Sequence, residues 1–158
     1  MASDGGTAEI DYEIYIAAAP ERIWAALTDA SVSRLWFFGR RIESDWGAGS
    51  ALCYRMPNGG IEASGRITEI DAPRLVRFNL SPVREGPDAM SSAVSFEITD
   101  CGGMCRLAFS EVHAAPVSGR RIVAARRVWP VILSGLKTLL ETGRQAEIDI
   151  ARLFDDEA

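Results

Sequence analysis

The chain has 158 residues, 47% hydrophobic and 25% charged, with 17 Lys and Arg against 22 Asp and Glu for a formal net charge of −5. That length buries a substantial core as one domain, and the acidic balance argues against a nucleic-acid partner, because phosphate contacts need a basic surface. No apolar run approaches the ~20 residues of a membrane span, and residues 1–7 lack the basic-then-apolar pattern of a secretory leader, so a cytoplasmic protein without membrane insertion is expected.

Residues 1–9 read as a flexible N-terminus. Ile10, Tyr12, Ile14 and Ile16 then alternate with Asp11, Glu13 and Tyr15, the period-two pattern of a half-buried strand. Pro20 suits the first position of a helix and Glu21 its positive dipole end. Ile23, Trp24 and Leu27 give that helix an inward face, and Thr28-Asp29 ends it. Ser31 can cap a second short helix that carries Leu35, Trp36 and Phe37.

Arg41 to Met56 reads as one long strand with a bulge or bend at Gly47 and Gly49. Turns at 57–60 and 71–73 bracket a strand from Ile61 to Ile70, and Leu75 to Leu80 alternates again. Residues 81–90 are loop-like. Val94, Phe96 and Ile98 mark the next strand, Asp100-Cys101-Gly102-Gly103 a turn, and Leu107 and Phe109 the last strand. Strands joined by short turns in succession form an antiparallel meander. Ser118 can cap a helix starting near Arg120. Trp129, Ile132, Leu133, Leu136, Leu139 and Leu140 lay one apolar stripe along it. Pro130 is expected to kink or split this helix, and Gly135 suits a close backbone approach. Gly143 is a natural residue to end it. The tail, 144–158, keeps Ile148, Ile150, Leu153 and Phe154, enough apolar surface to dock on the body or on a second copy.

Strand, two short helices, meander and long C-terminal helix is the order of the α+β helix-grip fold, START-like or Bet v 1-like, in which a curved antiparallel sheet wraps around the last helix. Local residues strengthen the match. The segment from Ala19 to Asp29 resembles the opening helix of the activator-of-Hsp90-ATPase-homologue-1-like branch of the SRPBCC superfamily. So do Leu35-Trp36-Phe37, the segments 43–49 and 65–76, and the closing run from Leu136 to Gly143. The resemblance spans roughly Ile10 to Gly143 and implies a single domain over 10–143, with a gap between helix and sheet. It departs from that branch at two places. Many relatives end the last strand with a Thr-His-Ser-Gly-type sequence where this chain has Ser110-Glu111-Val112-His113, and their helix does not carry Pro130.

The gap implied by the resemblance has candidate walls in Trp46, Leu52, Tyr54, Met56, Phe78, Phe96 and Phe109, opposite Trp129, Leu133 and Leu136, with Trp36 and Phe37 at the mouth. Each of these taken singly fits an ordinary core position. Tyr54, Glu111 and Arg55 are the candidates for polar contacts in a mostly apolar pocket. Glu111 is in phase with Leu107 and Phe109 and points inward by strand parity, where burial would raise its carboxyl pKa. Pairing with Arg126, or a bulge turning it to solvent, is the alternative. His113 is expected at the rim or surface, and Asp45, Glu62, Glu69 and Glu97 outward.

Three cysteines and one histidine do not make a zinc site. Cys53 reads as a small buried hydrophobe, and Cys101 and Cys105 approach each other across a turn. No nucleophile, phosphate-loop or metal motif is present, and no cofactor is expected. The residues favour a binding protein for a small hydrophobic or amphipathic ligand, lipid, sterol-like or polyketide-like by the resemblance. A cyclase or hydrolase using Glu111 with Tyr54, or an Hsp90-type ATPase-activating module, are the alternatives. A homodimer is a further expectation.

Overall fold

Alternating apolar residues from Ala8 to Ile16 build the first strand, β1, of a seven-stranded antiparallel sheet in the computed structural model, which describes residues 8–84, 91–113 and 119–157. Ala8 and Glu9 are therefore strand residues rather than part of an N-terminal arm. Two short helices follow, α1 (Pro20–Thr28) and α2 (Ala30–Trp36). Ile23, Ala26 and Leu27 bury the inner face of α1. The cap of α2 is Asp29 and not Ser31: the Asp29 carboxylate accepts from the Ser31 amide at 2.9 Å and from its hydroxyl at 2.7 Å.

The run expected as one strand from Arg41 to Met56 is a hairpin of β2 (Arg41–Ser44) and β3 (Ala51–Arg55). Trp46 and Gly49 adopt positive φ values of 58° and 79° in the connection, which turns the chain back where a bend alone was expected. Then come β4 (Ile61–Asp71), β5 (Leu75–Pro82), β6 (Ser92–Asp100) and β7 (Cys105–His113), giving the sheet order β1-β7-β6-β5-β4-β3-β2. At Gly65 a Cβ would overlap the Asn79 carbonyl of β5. There the ladder gives way to a side chain, with Asn79 Oδ1 accepting from the Arg66 amide at 3.0 Å.

The long helix α3 (Gly119–Thr142) runs unbroken through Pro130, contrary to a split. The expected Ser118 cap lies outside the described residues. The buried face of α3 at Trp129, Ile132, Leu133, Leu136 and Leu140 packs with Ile14, Ile16, Phe78, Phe96 and Phe109 in one core, where each fully buried large side chain contributes about 1.5–3 kcal/mol. Beyond Gly143 (φ 76°) the chain folds back on its own body. A Cβ at Gly135 would meet Ile148 Cδ1 at 3.5 Å and the Trp36 carbonyl at 3.7 Å, and Arg127 reaches the Leu153 carbonyl at 3.1 Å and lies over the Phe154 ring. A short 3-10 segment, Ile150–Glu157, follows. Among the described residues no helix is long and apolar enough to cross a membrane.

Candidate functional site

Sheet register sets out the site. Tyr54 of β3 lies opposite Ala63 of β4, and Ala63 opposite Pro82 of β5. Leu80 of β5 faces Ser92 of β6, which faces His113 of β7. This row crosses the sheet on the side that α3 covers. The N-terminal half of α3 stands off from it and leaves a cavity of ≈ 500 Å³, walled by Arg121, Ala125, Val128, Trp129 and Ile132 from the helix. Phe37 and Phe38, at the end of α2, close a third side, and Ile150 of the tail sits at the margin. The volume falls within the roughly 300–1,000 Å³ of small-molecule sites.

Beneath the cavity six aromatic rings close a circuit. Phe37 meets Tyr54 edge-on at 5.0 Å, Tyr54 meets Phe78 at 6.2 Å, and Phe78 meets Phe96 at 6.4 Å. Phe96 then contacts Phe109 at 5.2 Å, Phe109 stacks on Trp129 at 4.1 Å, and Trp129 returns to Phe37 at 5.4 Å. These spacings are those of favourable aromatic pairs, so the circuit is a packed floor. Phe37, Tyr54 and Trp129 belong to both the floor and the cavity lining.

Polar groups gather at one end. Glu111 and His113 have side-chain exposures of 12% and 9%, and His113 Nε2 lies 3.3 Å from Glu111 Oε1. β7 is flanked by Ala8 of β1 and Ser92 of β6 as far as His113, which is why this histidine is buried and not on the rim. Its Nδ1 has no hydrogen-bond partner among the described residues, and neither has the buried Tyr54 hydroxyl. Burial first, then the Glu111 and Glu62 carboxylates, hold the Tyr54 phenol well above its ordinary pKa, against the opposing pull of Arg40. Tyr54 is thus a protonated donor at neutral pH.

Arg40 and Glu62 form a bidentate pair at the cavity edge, Nε to Oε1 at 2.7 Å and Nη2 to Oε2 at 2.9 Å. The bond from Glu62 outweighs desolvation and raises the Arg40 pKa. Glu62 was expected to face outward. Because Arg55 pairs with Ile61 and Tyr54 with Ala63, Glu62 is the extra residue of a bulge, which re-aims its side chain.

Of the residues expected at the gap, Phe37, Tyr54, Glu111 and Trp129 line the cavity. Phe78, Phe96 and Phe109 lie in the aromatic floor, and Leu52, Leu133 and Leu136 are buried core beside it. Trp36 is anchored through its Nε1–H to the Ala26 carbonyl at 2.9 Å. Trp46 is half-buried in the β2–β3 connection, and Met56 stands just past β3, its amide on the Gly60 carbonyl. Arg55 turns away to Glu43 at 2.9 Å and the Gly59 carbonyl at 2.8 Å. Arg126 bonds the Glu9 carbonyl, and Glu111 takes His113 as its neighbour instead. Phe38, Arg40, Glu62, Leu80, Ser92 and His113 are further lining residues. Alternation fits Leu80, register places Ser92 and His113, a bulge places Glu62, and the chain between α2 and β2 carries Phe38 and Arg40.

Among the described residues no three His, Cys, Asp or Glu side chains gather as a metal site, and Cys53, Cys101 and Cys105 are free thiols. Cys53 is half-buried, its thiol pKa raised by burial and by Glu43. A second depression, ≈ 570 Å³, runs between the tail and α2 along Leu35, Phe38, Gly135, Ile148 and Arg152. It holds neither unpartnered group.

A family model described as "Activator of Hsp90 ATPase homolog 1-like protein" matches residues 17–141. No curated protein matches the chain. Among solved structures, protein MLL2253 from Mesorhizobium loti is similar at a TM-score of 0.76 and 19% identity, over 87% of this chain and 99% of that one. The Aha1 dimer from Colwellia psychrerythraea is similar at 0.70 and 24%, over 87% and 98%. CalU16 from Micromonospora echinospora is similar at 0.70 and 17%, over 98% and 86%. At these identities the likeness is one of fold.

Proposed function

The chain belongs to the activator of Hsp90 ATPase homolog 1-like family, and from that premise we propose that it binds a small amphipathic molecule between the sheet and the N-terminal half of α3. The carrying observation is the ≈ 500 Å³ cavity with Phe37, Leu80, Val128, Trp129 and Ile132 on its walls and Glu111 and His113 at one end. A ligand burying ten methylenes there gains ~8 kcal/mol. Association costs of ~4–15 kcal/mol are of the same size, so the polar end decides net affinity and orientation. A lipid, sterol-like or polyketide-like body fits this division. A cytoplasmic setting is part of the reading, supported by the three free thiols.

The test is a titration with the apolar dye Nile red. Ala125→Trp adds an indole from α3 into the cavity and leaves the six floor residues themselves unchanged. Saturable binding by the native chain, lost in a folded Ala125→Trp protein, is the expected result. Equal binding by both proteins would rule the cavity out as the site.

A second reading, stimulation of a chaperone ATPase, is favoured by the family itself and is checked by adding the chain to an Hsp90-type ATPase and measuring turnover. A cyclase- or hydrolase-like activity would use Glu111 with Tyr54 as proton donor, and it predicts turnover abolished by Glu111→Gln. A second copy of the chain is a further partner in this account, since the sheet ends on two edge strands, β1 and β2, and a similar fold is known as a dimer. Light scattering decides between one copy and two.

A further inference from the structure

The residues after α3 are held to the body by little. Gly143, at φ 76°, turns the chain out of the helix, and residues 145–149 have no regular structure. From Arg144 to Phe154 no residue is buried: Ala146, Ile148, Leu153 and Phe154 are half-buried and the rest exposed. Among the described residues no backbone-to-backbone hydrogen bond joins this stretch to the body. Its grips are side chains. Arg127 bonds the Leu153 carbonyl at 3.1 Å and lies over the Phe154 ring, and Ile148 rests against Gly135. Open space flanks the stretch on both sides, ≈ 570 Å³ toward α2 and ≈ 260 Å³ toward Pro130, Ser134 and Thr138 of α3. A segment with so few buried contacts belongs to the low end of local stability.

The ligand cavity and the larger of these depressions share two residues, Phe38 and Ile150, which form the lips between them. The Phe38 lip is fixed, because the amides after it, Gly39 and Arg40, bond the Arg34 and Phe37 carbonyls at 3.1 and 2.9 Å. The Ile150 lip rides on the weakly held stretch and is 45% exposed. Resting on the cavity reading above, we propose that the tail is a strap that gates the cavity. It swings about Gly143, carries Ile150 away from Phe38, and opens the cavity into the depression so that a ligand enters or leaves. Arg127 and Ile148 set how often the strap opens. Neither lines the cavity, so loosening them speeds entry and exit alike, while affinity stays with the walls.

Stopped-flow fluorescence of Nile red with the full chain tests this. Arg127→Met keeps the apolar stem and removes the grips on Leu153 and Phe154, and Ile148→Ala removes the contact at Gly135. In each variant the association and dissociation rate constants are expected to rise together by about fivefold, the shift in opening that the loss of one such contact gives. The dissociation constant stays within about twofold of the native value. Rates equal to those of the native chain in both variants overturn the strap while the cavity reading stands. A rise in dissociation alone also overturns it, since the tail would then be a fixed wall. If Nile red does not bind the native chain, the cavity reading falls and takes the strap with it.

Discussion

One oxygen atom separates Tyr54 from phenylalanine, and that atom is buried without a hydrogen-bond partner among the described residues. A buried hydroxyl without a partner costs about 1–3 kcal/mol, so Tyr54→Phe is expected to raise the stability of the unliganded chain by about 1 kcal/mol in urea denaturation. A loss of stability would mean that the hydroxyl already has a partner. At this scale strand parity made Glu111 legible, because Leu107 and Phe109 share its phase. The same parity covers His113, but where a strand ends is not written in its alternation, and pairing on both sides of β7 is what buries the ring. Glu62 was illegible for a related reason. A bulge is a mismatch between two strands, and neither strand carries it alone.

Glycines separate two kinds of constraint at the level of elements. At Gly65 the β5 backbone occupies the place of a Cβ, whereas at Gly135 the nearest atoms lie at ordinary contact distance, 3.5 and 3.7 Å. Gly135→Ala is therefore expected to stabilise the chain by about 0.5–1 kcal/mol through helix propensity. Gly65→Ala is expected to destabilise it, by about 2 kcal/mol or more, because backbone must move. Thermal melts of the two variants check the opposite signs. The stripe on α3 announced a buried helix, yet it did not say that the tail rather than another strand would cover Gly135. At the far end of α3, Glu141 accepts from the Ala17 amide and from Lys137 Nζ, each at 2.7 Å. The Lys137 bond first, and then the Ala17 bond, hold its carboxyl below the ordinary 4.5. A depressed folded pKa gives stability that is present above pH 4.5 and lost as pH falls through the folded value. Glu141→Gln is expected to lower the melting temperature at pH 7 and to narrow its gap from the native chain at pH 3. An unchanged gap would contradict the linkage.

For the whole molecule, element order alone carried the fold: a strand, two short helices, a meander and one long amphipathic helix admit few ways to bury their apolar faces. Depth was not legible. Phe78, Phe96, Phe109 and Trp129 all point inward, and only their mutual contacts distinguish a packed floor from a lined void. Small side chains, Ala63 on the sheet and Ala124 and Ala125 on α3, line the cavity and leave it room, and the six-ring circuit packs beside it. The tail margin at Ile150 also ties the mouth of the cavity to the neighbouring depression along Ile148. The account is tested most directly by intermolecular NOEs between the ring protons of bound Nile red and the methyl groups of the native chain. It predicts contacts to Leu80, Ala125 and Ile132. Contacts confined to Leu35 and Ile148, in the depression under the tail, would contradict it.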